Sequence, residues 1–89
     1  FALLYHEIAH HVFYNALTID ERATWVNEIS RSEGYVSSYA QMNTHEDFAE
    51  TYSLYVLGPA QLLVYHAKFS FMNQNVFSGY IPDSSILVG

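Results

Sequence analysis

Two histidines and a glutamate occupy the spacing His6-Glu7-x-x-His10 near the start of this chain. On a helix, this spacing places the two imidazoles one turn apart with a carboxylate beside them. Zinc held by neutral imidazoles with one position open activates a water molecule near neutral pH, and a neighbouring glutamate can accept its proton as the water attacks a carbonyl. The motif therefore predicts metal-assisted hydrolysis, with His6 and His10 as zinc ligands and Glu7 as the general base.

A second acidic pair supplies candidates for the third ligand. Glu46 and Glu50 lie one turn apart on a predicted helix, on a face whose small residues Ala49 and Ser53 allow another helix to approach closely. We expect Glu46 to complete a His, His, Glu site for one zinc ion, and Glu50 to accept the remaining N–H of a ligand imidazole. The spacing leaves the reversed assignment of the two carboxylates open.

His45 is a competing third ligand, because an extended motif with three histidines also makes a zinc site. That motif requires glycine and histidine at positions where this chain has Phe13 and Ala16. The sequence therefore favours a carboxylate over His45.

The elements that must position these residues are predicted to be about four helices. Apolar residues at helical spacing predict a first helix from the start of the chain to about Leu17. A capping box formed by Thr18 and Glu21 then begins a second helix, which runs to about Ser32. The polar stretch 35–43 predicts an irregular segment.

The remaining two helices are predicted from their caps and breakers. Thr44 is expected to cap a third helix, which ends at Gly58-Pro59. A fourth helix is expected from about Pro59 to Phe77. The chain begins inside the apolar pattern of the first helix, so we expect it to be part of a longer protein.

Composition excludes several classes of function. Nine acidic residues against three basic ones give a net charge of −6, which lacks the basic surface expected for binding nucleic acid or an anionic membrane. The absence of cysteine means that any zinc must be held by histidine and carboxylate. The apolar runs are too short to cross a bilayer.

Residues 37 to 50 carry a resemblance to a known group of enzymes. They read Ser-Ser-Tyr-Ala-Gln-Met-Asn-Thr-His-Glu-Asp-Phe-Ala-Glu. This segment resembles the Tyr-to-Glu stretch of the anthrax lethal factor catalytic domain and of the Pro-Pro endopeptidases, which are gluzincin-type zinc proteases. In those families a Ser-Tyr pair precedes the ligand Glu by the same interval, and the ligand opens an E-x-F-A-E helix. Asp47 departs from the usual E-F-F-A-E, and the stretch between His10 and Tyr39 is somewhat shorter than in the lethal factor.

The resemblance implies a role for each matching residue. Glu7 is the general base, Tyr39 is a hydrogen-bond donor to the tetrahedral oxyanion, and Glu50 is the carboxylate that supports a ligand imidazole. The implied zinc ligands are His6, His10 and Glu46.

The resemblance also implies a fold and a setting. Residues 1–89 would form a single partial domain, an all-α piece that is the C-terminal catalytic subdomain of an α+β zincin-like metallopeptidase without its N-terminal sheet. The partners would be a peptide or protein substrate and the N-terminal remainder of the same domain. Because the relatives are exported bacterial proteins, the resemblance implies a secreted or extracellular bacterial protein.

Three functions from different classes follow. The first is a zinc-dependent endopeptidase that hydrolyses peptide bonds with zinc-bound water activated by Glu7; we expect the isolated chain to bind zinc but to cleave peptides poorly. The second is a metal-binding pseudoenzyme in which zinc only joins two helices, and an intact Glu7 argues against it. The third is a helical interaction module that binds no metal.

Overall fold

Five α-helices follow one another along residues 1–82, which are the residues that the computed structural model describes. Within this range the structure contains no strand, so the prediction of an all-α chain is confirmed there. The predicted domain also includes residues 83–89, which lie outside the described residues. The helices are α1 (Ala2–Asn15), α2 (Ile19–Thr24), α3 (Thr44–Leu57), α4 (Pro59–Leu62) and α5 (His66–Phe71). Three shorter elements accompany them: π-helical turns at Trp25–Ile29 and Met72–Val76, and a 3-10 helix at Tyr39–Gln41.

The junction between α1 and α2 is built from reciprocal capping contacts. The Glu21 amide donates to the Thr18 hydroxyl at 3.0 Å, and the Thr18 amide donates to the Glu21 carboxylate at 2.8 Å. The predicted capping box is therefore confirmed. Arg22 donates to the Leu17 carbonyl at 2.8 Å, which satisfies an acceptor just beyond the end of α1.

Helix α3 begins one residue away from the predicted position of its cap. Asn43 is the capping residue, because its backbone is extended and its side-chain oxygen accepts the Glu46 amide at 2.8 Å. Thr44, which we expected to cap the helix, is instead its first residue. The Trp25 indole N–H donates to the Thr44 carbonyl at 2.8 Å. This start places Glu46 in the first turn of α3.

The predicted fourth helical stretch is helical but interrupted, since two short helices occupy it. Helix α4 ends at Leu62 and α5 begins at His66. The Glu33 carboxylate accepts the backbone N–H groups of Ala67 and Lys68, at 2.8 and 3.2 Å. These are donors in the first turn of a helix, which have no partner inside the helix itself. A distant side chain therefore stabilises a second helix start.

Aromatic rings from four elements form the core. The centroids of Phe13 and Phe48 are 4.9 Å apart, and the Trp25 ring lies 5.3 Å from both Phe48 and Phe71. Phe48, Phe71 and Tyr55 are buried. The core thus ties α1 to α3 and α5. None of the helices in the described range is long and apolar enough to cross a membrane.

A buried ion pair fixes α5 against α3. The Lys68 ammonium donates to both carboxylate oxygens of Asp47, at 2.9 and 3.0 Å, and to the Gly34 carbonyl at 2.6 Å. Asp47 also accepts a hydrogen bond from the Ser30 hydroxyl at 2.6 Å. Both charged side chains are fully buried, and such a pair requires this degree of hydrogen bonding to offset the cost of desolvation.

Close packing of α1 on α3 positions the site. Ala9 on α1 and Ala49 on α3 are completely buried, and such small side chains allow two helix backbones to approach closely. His6 and Phe13 share the buried face of α1, whereas Leu4 on the same helix is exposed. His6 and His10 consequently face Glu46 and Glu50 on α3.

Candidate metal centre

The two motif histidines lie side by side where α1 meets α3. His6 is buried and His10 is half-buried. Their Nε2 atoms are 3.1 Å apart, and their ring centroids are separated by 4.8 Å. This arrangement follows from the one-turn spacing on α1, because residues four apart on a helix lie one above the other.

The carboxylate of Glu46 completes a triangle with these two nitrogens. Its Oε1 atom lies 3.1 Å from Nε2 of His6 and 2.6 Å from Nε2 of His10. Glu50, one turn further along α3, reaches the opposite edge of the His6 ring, with Oε2 at 2.8 Å from Nδ1. The structure thus brings Glu46, rather than Glu50, next to both Nε2 atoms.

The contact with Glu50 determines which nitrogen of His6 carries the proton. An ionised carboxylate can only accept hydrogen bonds, so Nδ1 of His6 must donate to Glu50. In the neutral imidazole, Nε2 then carries a lone pair, which faces the Glu46 oxygen and Nε2 of His10. When His10 also presents the lone pair of Nε2, three electron-pair donors converge on one point. A proton or a metal ion between them would relieve the repulsion of their lone pairs.

The donor set fits a zinc ion. Imidazole nitrogen and carboxylate oxygen bind zinc at about 2.0–2.1 Å, so tetrahedral ligands lie about 3.3 Å from one another. The two separations that involve His6, 3.1 Å each, are close to that value, and the 2.6 Å between Nε2 of His10 and Oε1 of Glu46 is shorter. The three ligand atoms come from two packed helices, so little rearrangement would be needed to seat an ion among His6, His10 and Glu46.

Hydrogen bonds and charge shift the proton affinities at this centre. Partial burial acts to raise the pKa of the Glu46 carboxyl. A hydrogen bond from Tyr39 outweighs it, together with a hydrogen bond from His6 and the charges of His6 and His10 when these imidazoles carry a second proton, so this pKa lies below its usual value. A hydrogen bond to Glu46 and the negative charges of Glu46, Glu50 and Glu7 raise the pKa of the Tyr39 phenol. Tyr39 therefore remains a hydrogen-bond donor at neutral pH.

Tyr39 and Glu7 border the centre on its open side. Tyr39 lies on the 3-10 helix, 48% exposed, and its ring centroid is 5.6 Å from that of His6. Glu7 is exposed on α1. Together with Leu3, His6 and Glu50, these two residues line a cavity of about 320 Å³. A ligand in this cavity would thus meet a carboxylate and a phenol beside His6.

The structure also brings in a residue that the sequence did not single out. The Ser37 hydroxyl donates to Oε1 of Glu50 at 2.7 Å. Nothing in its local sequence distinguishes Ser37 from Ser38, because the contact joins residues 13 positions apart. His45, the competing candidate, packs against the rings of Phe13 and Tyr14 and does not belong to the converging group.

The fold and the donor set define an all-helical unit with three side chains able to hold a metal ion. A family described as "putative zinc-binding metallo-peptidase" matches residues 3–86 of the chain. The match spans nearly the whole sequence, so the chain belongs to this zinc metallopeptidase family. No curated protein and no solved structure matches the chain.

Proposed function

We propose that this chain carries the catalytic centre of a zinc-dependent endopeptidase, with His6, His10 and Glu46 as the ligands of one zinc ion. The observation that carries the proposal is the convergence of two imidazole nitrogens and a carboxylate oxygen within 3.1 Å of one another. Membership of a zinc metallopeptidase family supports the same assignment. The resemblance of residues 37–50 to the lethal factor and Pro-Pro endopeptidase families supports a gluzincin-type site.

Each side chain around this site would contribute a separate task. Zinc, when bound, would lower the pKa of a water molecule and polarise a peptide carbonyl. The Glu7 carboxylate would accept the proton of the attacking water and return it to the amine that leaves. Its exposure in the cavity beside His6 supports this role, because a proton-transfer group must reach the substrate.

Tyr39 would stabilise the charge that develops on the substrate carbonyl oxygen. A phenol can donate one hydrogen bond, and its raised pKa keeps the proton in place at the pH of the reaction. Tyr39 borders the same cavity as Glu7, so both groups can reach a single peptide bond. Such a preorganised donor favours the transition state over the ground state.

Glu50 would hold the His6 imidazole in its ligand orientation. The 2.8 Å hydrogen bond at Nδ1 directs the lone pair of Nε2 toward the Glu46 oxygen. A carboxylate in this position also makes the imidazole a stronger base and therefore a stronger ligand.

Substitution of Glu7 separates an endopeptidase from a protein that only binds zinc. Zinc-loaded parent chain and Glu7→Gln are incubated at equal concentration with a mixture of denatured proteins, and the new peptide termini are identified by mass spectrometry. We expect equal zinc content in both proteins, slow cleavage by the parent and no cleavage by Glu7→Gln. Equal cleavage by both, or none by the parent at high concentration, would contradict the proposed activity.

A further inference from the structure

Ser37 makes two hydrogen bonds that join separate parts of the site. Its hydroxyl donates to Oε1 of Glu50 at 2.7 Å, and its hydroxyl oxygen Oγ accepts the backbone N–H of Ala40 at 3.2 Å. We propose that Ser37 is a positioning residue that couples the turn carrying Tyr39 to the carboxylate supporting His6. This inference rests on the proposed function, because it assigns a role within the same site.

The direction of these bonds is set by their chemistry. The Ala40 N–H can only donate, so it uses a lone pair of the Ser37 oxygen and leaves the hydroxyl proton free for Glu50. Glu50 can only accept, so one oxygen receives the Ser37 proton and the other receives the His6 Nδ1 proton. The chain of donors and acceptors is therefore complete without any change of protonation.

Fixing one oxygen of Glu50 fixes the other. A carboxylate held at a single oxygen can rotate away from its partner, whereas bonds at both oxygens define its plane. Removal of the Ser37 hydroxyl leaves Glu50 with the His6 contact alone. The imidazole then loses part of the restraint that aims Nε2 toward Glu46.

The hydrogen bond between the Ala40 N–H and Ser37 positions Tyr39. Ala40 is completely buried next to Tyr39 in the 3-10 helix Tyr39–Gln41. The hydrogen bond from its backbone N–H to the Ser37 hydroxyl ties this short helix to the preceding residues. A three-residue helix has little stability of its own. Ser37 thus holds the phenol and the imidazole in one connected network, so the two groups should respond together to its loss.

The chain offers matched variants for a test. Ser37→Ala removes the hydroxyl, and Ser38→Ala makes the same change at an exposed neighbour whose side chain does not cap the 3-10 helix. Ser37→Thr keeps the hydroxyl, and its added methyl group has room because Ser37 borders an apolar cavity of about 190 Å³. Urea unfolding of each variant reports any general loss of stability.

Two readouts test the coupling. The first is zinc affinity, measured by competition with a chromophoric chelator; we expect a loss of up to about tenfold for Ser37→Ala, because Ser37 reaches His6 only through Glu50 and about tenfold is the low end for a group that supports a ligand directly, and values near the parent for Ser37→Thr and Ser38→Ala. The second is the imidazole N–H signal of His6 in the metal-free protein, followed by NMR and assigned by its loss in His6→Asn. We expect this proton to exchange with water faster in Ser37→Ala than in the parent, and at the rate of the parent in Ser37→Thr and Ser38→Ala.

The outcomes separate this inference from the proposed function. A parent chain that binds no zinc would overturn the proposed function, and the His6 signal would still decide the role of Ser37. Parent-like zinc affinity and parent-like His6 exchange in Ser37→Ala would overturn the inference. So would a lower unfolding midpoint in Ser37→Ala with an unchanged His6 signal, because that result describes a residue that only stabilises the fold.

Discussion

Removal of the Glu50 carboxylate should weaken zinc binding without abolishing it. Glu50 acts on the converging donors through the 2.8 Å bond to Nδ1 of His6, which lies on the ring edge opposite them. A hydrogen bond to a charged group contributes about 1.5–3 kcal/mol. Because about 1.4 kcal/mol corresponds to a tenfold change in affinity, Glu50→Ala should lower zinc affinity about 10- to 100-fold.

A conservative change at the same position should have a smaller effect. Glu50→Gln keeps an acceptor oxygen but loses the charge, and a neutral hydrogen bond is roughly half as strong, so the loss should be about three- to tenfold. Glu28→Gln is the control, since it makes the same charge change on an exposed residue of the π-helical turn after α2. Glu46→Gln should lose far more affinity, because it removes a direct ligand.

Competition with a chromophoric zinc chelator at fixed pH and salt measures the zinc affinities of the parent and the four variants. Circular dichroism checks that each protein keeps its helical fold. The order that refutes the reasoning is a larger loss in Glu50→Gln than in Glu46→Gln, which would make Glu50 the ligand. Parent-like affinity in Glu50→Ala would show that the carboxylate does not support His6.

Three further predictions follow from the same contacts. Zinc affinity should fall as pH drops from about 8 to 5, across the reference histidine pKa of about 6.5, because histidine must be deprotonated to bind zinc. The lowered pKa of Glu46 keeps its carboxylate ionised over this range, so loss of the Glu46 charge does not explain the fall. Affinity that stays flat over this range would contradict the histidine ligands. Tyr39→Phe should keep the zinc content of the parent and lower the cleavage rate about 100-fold, as the loss of one hydrogen-bond donor to a developing oxyanion does in other enzymes. An unchanged rate would show that Tyr39 takes no part in the reaction. Lys68→Met should lower the free energy of unfolding, measured in urea, by about 3–5 kcal/mol, because it leaves the Asp47 charge buried without its partner. A change below about 1 kcal/mol would mean that water reaches the pair.

The parts of the site that could be predicted depend on short-range spacing. Residues four apart on a helix share a face, so the pairs His6 with His10 and Glu46 with Glu50 were predictable once two helices were expected. The small residues Ala49 and Ser53 indicated that another helix could approach this face, and both are buried. The boundaries of α1 and α3 were likewise near the predicted ones, because Asn43 and Gly58 flank α3 and the Thr18 cap of α2 follows α1 closely.

The parts that failed depend on contacts between distant residues. The start of α5 after the break from α4 is stabilised by Glu33, whose carboxylate accepts the N–H groups of Ala67 and Lys68 at 34 and 35 positions along the chain. No local sequence pattern predicts this contact. The contact between Ser37 and Glu50 has the same character. At the start of α3, Asn43 and Thr44 are both good caps, and only the extended backbone of Asn43 decides between them.

Zinc content of the purified chain tests the central claim most directly. Metal analysis would compare the parent with His10→Ala and Glu46→Gln in one buffer, with His45→Ala as a control for loss of a histidine that packs against Phe13. The account predicts one zinc per parent chain and per His45→Ala chain, and little zinc in the other two. No zinc in the parent, or full zinc in both His10→Ala and Glu46→Gln, would contradict a centre built from His6, His10 and Glu46.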